Sequence, residues 1–193
     1  PGIEDYRYDG GGRRVQTTKA SGGTTLWMYA QNGQQLFSSK LPAGGGQTTH
    51  ENVYLSGSLV ASIDHAWPSN TVLATKYQHT DALGSPVAVS NEAGAVIDRT
   101  NYDPYGGPIG KVVDGIGYTG HVMDPATGLT YMQQRYYDSE VGRFMSIDPV
   151  PADPSNGVNF NRFKYALNSP YNYTDPDGRC ESISTCQMMR DDI

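Results

Sequence analysis

Cysteine is nearly absent from this chain: only Cys180 and Cys186 occur in 193 residues, both within the last fourteen. A body without cysteine needs no disulfide framework, and the spacing of these two matches no metal site. A Cys180–Cys186 bridge and two free thiols are both compatible with the sequence. Apolar runs are short as well, and none approaches the roughly eighteen residues of a membrane-crossing helix. Basic clusters are missing: 14 Lys and Arg stand against 20 Asp and Glu, a formal net charge of −6 at pH 7. That balance, without any Lys/Arg run, argues against a nucleic-acid-binding surface. The opening Pro1-Gly2-Ile3-Glu4-Asp5 has no initiator Met, basic start or apolar leader. No signal peptide is read there, and the chain is expected to begin inside a longer gene product or after trimming.

Helical signal is scarce too, because Gly or Pro interrupts nearly every window long enough for three turns. The best candidate is a short helical turn over 161–166 (NRFKYA). The histidines, His50, His65, His79 and His121, are scattered without metal-ligand spacing and read as structural or surface residues. Asp175-x-Asp177-Gly178 resembles half a calcium loop but lacks the remaining ligands and the closing Glu. The glycine runs at 10–12 and 44–46 lack the strand–helix context of a phosphate cradle and read as loops. No cofactor and no metal is called for.

What the chain has in quantity is turn residues and tyrosine. Gly numbers 23 and Pro 12, while Tyr numbers 14 against 4 Phe and 2 Trp. Tyrosine suits half-buried sheet faces with one wet end, so the composition reads as β-rich and dense in turns. Tyrosine-led strand signals recur: YRYDGGGRRVQ (6–16), WMYAQNGQQLF (27–37), NVYLSGSLVASI (52–63), TKYQHTDALGSPVAVS (75–90) and TNYDPYG (100–106). Their lead tyrosines, Tyr8, Tyr29, Tyr54, Tyr77 and Tyr102, are spaced 21, 25, 23 and 25 residues apart. Several units hold an Asn-Gly, Asp-Gly or Ser-Gly turn between two short runs, the pattern of a β-hairpin. A steady period of this length signals stacked repeats that cover one another's apolar faces. An ordinary β-sandwich with evenly spaced hairpins is the alternative.

Three segments carry a family resemblance. YQHTDALGSPVAVSNEAGAVIDRTNYDPYG (77–106) resembles the opening of the Rhs-repeat-associated core domain. GYTGHVMDPATGLTYMQQRYYDSEVGRFMSIDP (117–149) is similar to its centre, and NRFKYALNSPYNYTDPDG (161–178) to its closing segment. The earlier tyrosine units resemble the YD repeats that precede that core. The resemblance implies an all-β fold in which YD-repeat hairpins (1–76) form a curved or spiralling sheet, a shell fragment. A core plug (77–179) with a self-cleavage site closes it, and 180–193 begins a variable C-terminal segment. It further implies a polymorphic toxin of bacterial origin, made in the cytoplasm and secreted or delivered at the cell surface for interbacterial competition. The partner is then the chain's own C-terminal segment, as substrate and cargo, with secretion-machinery or immunity proteins as further partners. Nucleic acid and membrane insertion are not expected.

The acidic residues divide in two. Aspartate opens type I turns and proline presets the next φ, so Asp103, Asp124, Asp138 and Asp153 read as turn residues. Asp148 follows the apolar anchors Phe144 and Ile147, and Asp175 closes the last recognisable unit. The resemblance implies that Asp148, Asp175 and Arg135 occupy the positions of a self-cleaving aspartyl site. Peptide hydrolysis by water needs a base for the water and an acid for the leaving nitrogen. Two carboxylates held close cannot both ionise cheaply, so such a pair can divide these roles. Which Asp is the acid stays open. Arg135 would hold one carboxylate bidentately or steady the developing oxyanion. Tethering the scissile bond to the catalyst replaces substrate affinity by effective molarity.

The family's closing motif usually reads Asp-Pro-x-Gly-Leu, cut after the leucine. Here it is Asp175-Pro176-Asp177-Gly178-Arg179, which places the expected cut at Arg179–Cys180. An apolar pocket built for leucine would have to desolvate this guanidinium unless Asp177 or another acid meets it. A structural encapsulation or interaction module with a retained tail, and an adhesive domain binding glycans through its tyrosines, are the alternative functions.

Overall fold

The computed structural model describes residues 4–151, 154–155, 160–179 and 187–188. The chain forms two compact units: Pro1–Thr80 with Pro86–Arg99, and Asp81–Ser85 with Thr100–Ile193. The segment 77–106, which opens the core motif, contributes to both.

The first unit is one antiparallel sheet of nine strands in chain order. These are β1 (Glu4–Tyr8), β2 (Arg14–Lys19), β3 (Thr24–Tyr29), β4 (Gln35–Leu41), β5 (Thr48–Leu55), β6 (Ser58–Ala66), β7 (Thr71–Thr80), β8 (Pro86–Ser90) and β9 (Val96–Arg99). The same turn recurs along the chain. Asp9 N–H donates to Arg13 O and Gly12 N–H to Asp9 O, and the pattern repeats at 30–34, 81–85, 91–95 and 103–107. The first side chain locks the loop: Asp9 Oδ1 accepts the N–H groups of Gly11 and Arg13, each at 2.8 Å. Asp81, Asn91 and Asp103 do the same for the residues two and four ahead. The fourth residue is glycine at φ between 76° and 89° (Gly12, Gly33, Gly84, Gly94, Gly106), as this three-residue hairpin with its bulge requires. Register shifts fall just before the loop, at Arg7/Tyr8, Met28/Tyr29, His79/Thr80 and Val89/Ser90. Tyr8, Tyr29 and Tyr102 therefore lead their units because each stands directly before a loop.

Little apolar surface is sealed in this unit: among its described residues, Leu59 and Ala88 are the buried hydrophobic side chains. Cross-strand side-chain pairs supply cohesion instead. The guanidinium of Arg14 lies between the rings of Tyr6 and Trp27, 4.9 Å from each centroid. Asp64 on β6 bridges His50 on β5 at 2.5 Å and Lys76 on β7 at 2.8 Å.

The second unit holds β10 (Gly115–Ile116), β11 (Val122–Met123), β12 (Thr130–Met132), β13 (Arg135–Asp138) and β14 (Arg143–Phe144) in an antiparallel sheet. A separate pair joins β15 (Tyr173–Thr174) to β16 (Gln187–Met188). Here there is a true core: Tyr118, Met123, Met132, Tyr137, Phe144, Tyr165 and Ala166 pack as one cluster. Tyr165 is its hub, with ring centroids 4.5 Å from Tyr137, 5.9 Å from Phe144 and 6.0 Å from Tyr118. The Tyr137 hydroxyl, deep in this cluster, donates to Tyr105 O at 2.8 Å.

The molecule is all-β, as expected, and among the described residues no closed barrel forms. One local expectation fails. The helical turn sought over 161–166 lies instead at Ala166–Asn168, as a single 3-10 turn. Its φ angles are positive, 44°, 54° and 58°, so it is left-handed. Residues 161–165 are drawn away by other bonds: Lys164 bridges to Arg143, and Phe163 O accepts Phe144 N–H. Tertiary pairing outweighs local helix preference there.

His121 fastens the closing segment to the core. It is buried, and its Nε2–H donates to Asp175 O at 2.9 Å. Burial pushes its pKa down to about 4, against the opposing pull of the Asp175 carbonyl and the Asp177 charge. The folded chain therefore refuses a proton that the unfolded chain accepts near pH 6.5. Stability that is fully present above pH 6.5 is lost as pH falls toward 4, on the order of 3 kcal/mol in all. Denaturant titrations across that range are expected to show this decline, and His121→Gln to flatten it. In the core, Phe144→Ala is expected to cost about 3–5 kcal/mol by the same measurement.

Candidate self-cleavage site

Arg135, Asp148 and Asp175 are widely separated in sequence and meet in the second unit. Arg135 opens β13 straight after the two-residue turn Gln133–Gln134, paired opposite Met132 at the end of β12. Asp148 follows β14, placed by its N–H donating to Arg162 O at 3.0 Å. Asp175 follows β15. All three are buried, with 2 %, 5 % and 0 % of their surface exposed.

A single nitrogen joins them: Arg135 Nη2 lies 2.7 Å from Asp148 Oδ2 and 3.3 Å from Asp175 Oδ2. The two carboxylate oxygens therefore stand no further apart than those two distances together. The other guanidinium groups face backbone. Nε–H donates to Gly178 O at 2.5 Å and Nη1 to Arg162 O at 3.1 Å. The guanidinium carbon sits 3.5 Å from the centroid of the Phe144 ring, a cation–π contact out of water. Burial pulls the Arg135 pKa down, and Asp148 and Asp175 push it back up. Arg135 spans both acids and the backbone just before the expected cut, because its three donor positions meet acceptors from different segments.

The remaining carboxylate oxygens are also engaged. Asp148 Oδ1 accepts Val150 N–H at 2.8 Å, and Asp175 Oδ1 accepts Arg179 N–H at 2.9 Å. Asp177 Oδ1 accepts the same Arg179 N–H at 3.1 Å. The Asp175/Asp177 half-loop is thus spent on one amide. Among the described residues, no group of three or more His, Cys, Asp or Glu side chains is disposed to hold a metal ion.

Arg179 is exposed, and Asp177 meets its backbone N–H. Cys180, the other side of the expected cut, lies outside the described residues, as does Asp153. Asp103, Asp124 and Asp138 stand at turns, each carboxylate accepting an N–H two residues ahead.

Three further residues build the site, and none of them was assigned to it from the sequence. Arg162 donates from Nη2 to Asp148 O, while its own carbonyl accepts from both Arg135 and Asp148. His121 holds Asp175 from behind through its carbonyl. Gly178 lets its carbonyl reach Arg135: a Cβ there would fall 2.3 Å from Met132 O. Only Gly178 had a sequence signal, its place in the Asp-Pro-x-Gly turn.

With this geometry in view, comparison with known proteins is informative. The profile of the Teneurin YD-shell family matches residues 3–189. A tRNA3(Ser)-specific nuclease WapA of Bacillus spizizenii is 32 % identical over 181 residues, covering 90 % of this chain and 7 % of that protein. The toxin protein Tse5 of Pseudomonas aeruginosa is 35 % identical over 103 residues, covering 52 % of this chain and 8 % of that protein. The Photorhabdus luminescens Tc holotoxin pore contains a chain of the same fold, at TM-score 0.72 and 22 % identity. That match covers 96 % of this chain and 9 % of the other. This chain thus spans under a tenth of each of these relatives. A family match over nearly its whole length, on sheets built from repeated Tyr-led hairpins, makes the chain a member of the Teneurin YD-shell family, an Rhs/YD-repeat domain.

Proposed function

We propose that this chain is the C-terminal, shell-closing part of a longer Rhs/YD-repeat protein. In this reading it cuts itself once, between Arg179 and Cys180, by intramolecular aspartyl proteolysis, freeing a C-terminal toxin segment. The observation that carries the reading is the reach of Arg135. One guanidinium touches both buried acids and the carbonyl of Gly178, one peptide unit before the cut. Toxins and a toxin pore among the relatives support the same class of role, with delivery outside the producing bacterium. The division at 76/77 between repeats and core, and at 179/180 between core and cargo, belongs to this proposal.

The chemistry follows from the arrangement. Asp175 Oδ1 and Arg135 Nε hold the N–H and the C=O of the Gly178–Arg179 peptide, fixing the chain as it leaves toward residue 180. A water attacks the Arg179 carbonyl carbon as one carboxylate takes its proton. The other member of the pair, as a carboxylic acid, protonates the Cys180 nitrogen as the C–N bond breaks. The products are an Arg179 carboxylate and a Cys180 amine, and the pair again shares one proton. The reaction is unimolecular, so positioning supplies much of the acceleration.

A second reading keeps the fold without the reaction. Every oxygen of the two carboxylates accepts a bond, so the cluster can equally serve as a latch that retains an uncut tail.

Intact mass of the chain carrying a tagged C-terminal extension separates the two. A species ending at Arg179 is expected, abolished by Asp148→Asn and by Asp175→Asn. Each of these leaves one carboxylate against Arg135, so the fold persists. Full-length protein alone, after prolonged incubation at mildly acidic pH, supports the latch. Arg135→Lys supplies one ammonium for three divergent contacts and is expected to slow cutting by about a hundredfold or more. Arg135→Ala removes the shared cation from two buried acids and is expected to cost about 3–5 kcal/mol of stability as well.

A further inference from the structure

We infer that Arg162 is a positioning residue of the self-cleavage site: its guanidinium closes a clasp on the main chain of Asp148 and so fixes that carboxylate against Arg135. The inference rests on the self-cleaving reading above and adds a second arginine on which the rate of cutting depends.

Asp148 is held on both sides of its backbone by this one residue. Its N–H donates to Arg162 O at 3.0 Å, and its own carbonyl accepts a bond from Arg162 Nη2. Arg162 O also accepts from Arg135 Nη1 at 3.1 Å, so a single carbonyl ties the site arginine to the acid it meets. Those main-chain bonds are open to any residue at 162. The bond to the Asp148 carbonyl is made by the side chain alone.

The clasp matters because of where Asp148 stands. Residues 149–161, with Pro149, Pro151, Pro154 and Gly157 among them, leave the site at Asp148 and return to it at Arg162. An acid at the start of so long a connection is free to shift unless the two ends are joined. A reacting group must be held to roughly 0.5 Å, and a displacement of about 1 Å can cost a hundredfold in rate. Asp175 is served in the same way, since His121 donates to its carbonyl at 2.9 Å. Each acid thus has a partner side chain that grips its backbone and leaves its carboxylate to face Arg135.

Arg162 is otherwise poorly suited to a purely stabilising role. Its Nε–H is buried and meets no acceptor among the described residues. An unmet buried donor offsets much of what the bond to Asp148 contributes. The guanidinium is therefore expected to matter more to cutting than to stability.

The test is a time course of cutting by the full chain with a C-terminal extension. It runs beside urea unfolding of the same variants carrying Asp175→Asn, which keeps them uncut. Arg162→Met retains the stem and both main-chain bonds and removes the guanidinium. It is expected to slow cutting about tenfold or more, with the urea midpoint within about 0.5 M of the parent's. Arg162→Lys, which can still donate to the Asp148 carbonyl, is expected to cut at least about threefold faster than Arg162→Met. A loss below tenfold in Arg162→Met overturns the inference, and so does a loss that Arg162→Lys fails to relieve. A loss accompanied by a fallen urea midpoint also overturns it, because the side chain then serves the fold. No cutting by the unsubstituted chain overturns the self-cleaving reading itself.

Discussion

A guanidinium taken out of water is costly unless its N–H groups find acceptors and its charge finds a partner. Arg135 meets both demands with acceptors drawn from separate stretches of chain: the carbonyls of Gly178 and Arg162 and the carboxylates of Asp148 and Asp175. Its fifth neighbour is a ring face, that of Phe144, which belongs to the aromatic core. No one of these segments can shift without leaving a buried charge or donor unmet. Seating of the 175–178 turn and assembly of the acidic pair are therefore one event, and packing of the core is tied to both.

The two units reach stability by different routes. The nine-stranded sheet seals little apolar surface and depends on ladder bonds and on side-chain pairs such as Tyr6–Arg14–Trp27 and His50–Asp64–Lys76. The second unit has short strands, several of only two residues, and owes its order to clustered tyrosines. Short strands form few ladder bonds, so ring packing must hold them in place. A charged site of this kind belongs where the surroundings are rigid, and the tyrosine cluster supplies that rigidity.

Much of this was legible in the residues. The Asx-first, Gly-fourth loop has a local cause, a side-chain oxygen capping two amides, so its recurrence could be read from spacing alone. For Tyr8, Tyr29 and Tyr102 the lead position follows from the same loop, which each directly precedes; Tyr54 and Tyr77 stand elsewhere in their strands. Arg135, Asp148 and Asp175 came from family resemblance, and the fold gathers them. Arg162 and His121 could not be found, because each acts through a backbone carbonyl, and a carbonyl carries no sequence signature. The helical turn expected over 161–166 failed for a related reason: Phe163 and Lys164 are held by Phe144 and Arg143, far away in the chain.

The repeated loop has an evolutionary corollary. The hairpins closed by this loop, β1–β2, β3–β4, β7–β8 and β8–β9, each carry a registration device in five residues with a register shift beside it. Duplicating or deleting one such unit lengthens or shortens the sheet by two strands and leaves every remaining pairing in phase. A sheet assembled from parts like these can be lengthened or shortened by recombination between copies, and the second unit with its charged site can change independently of that length.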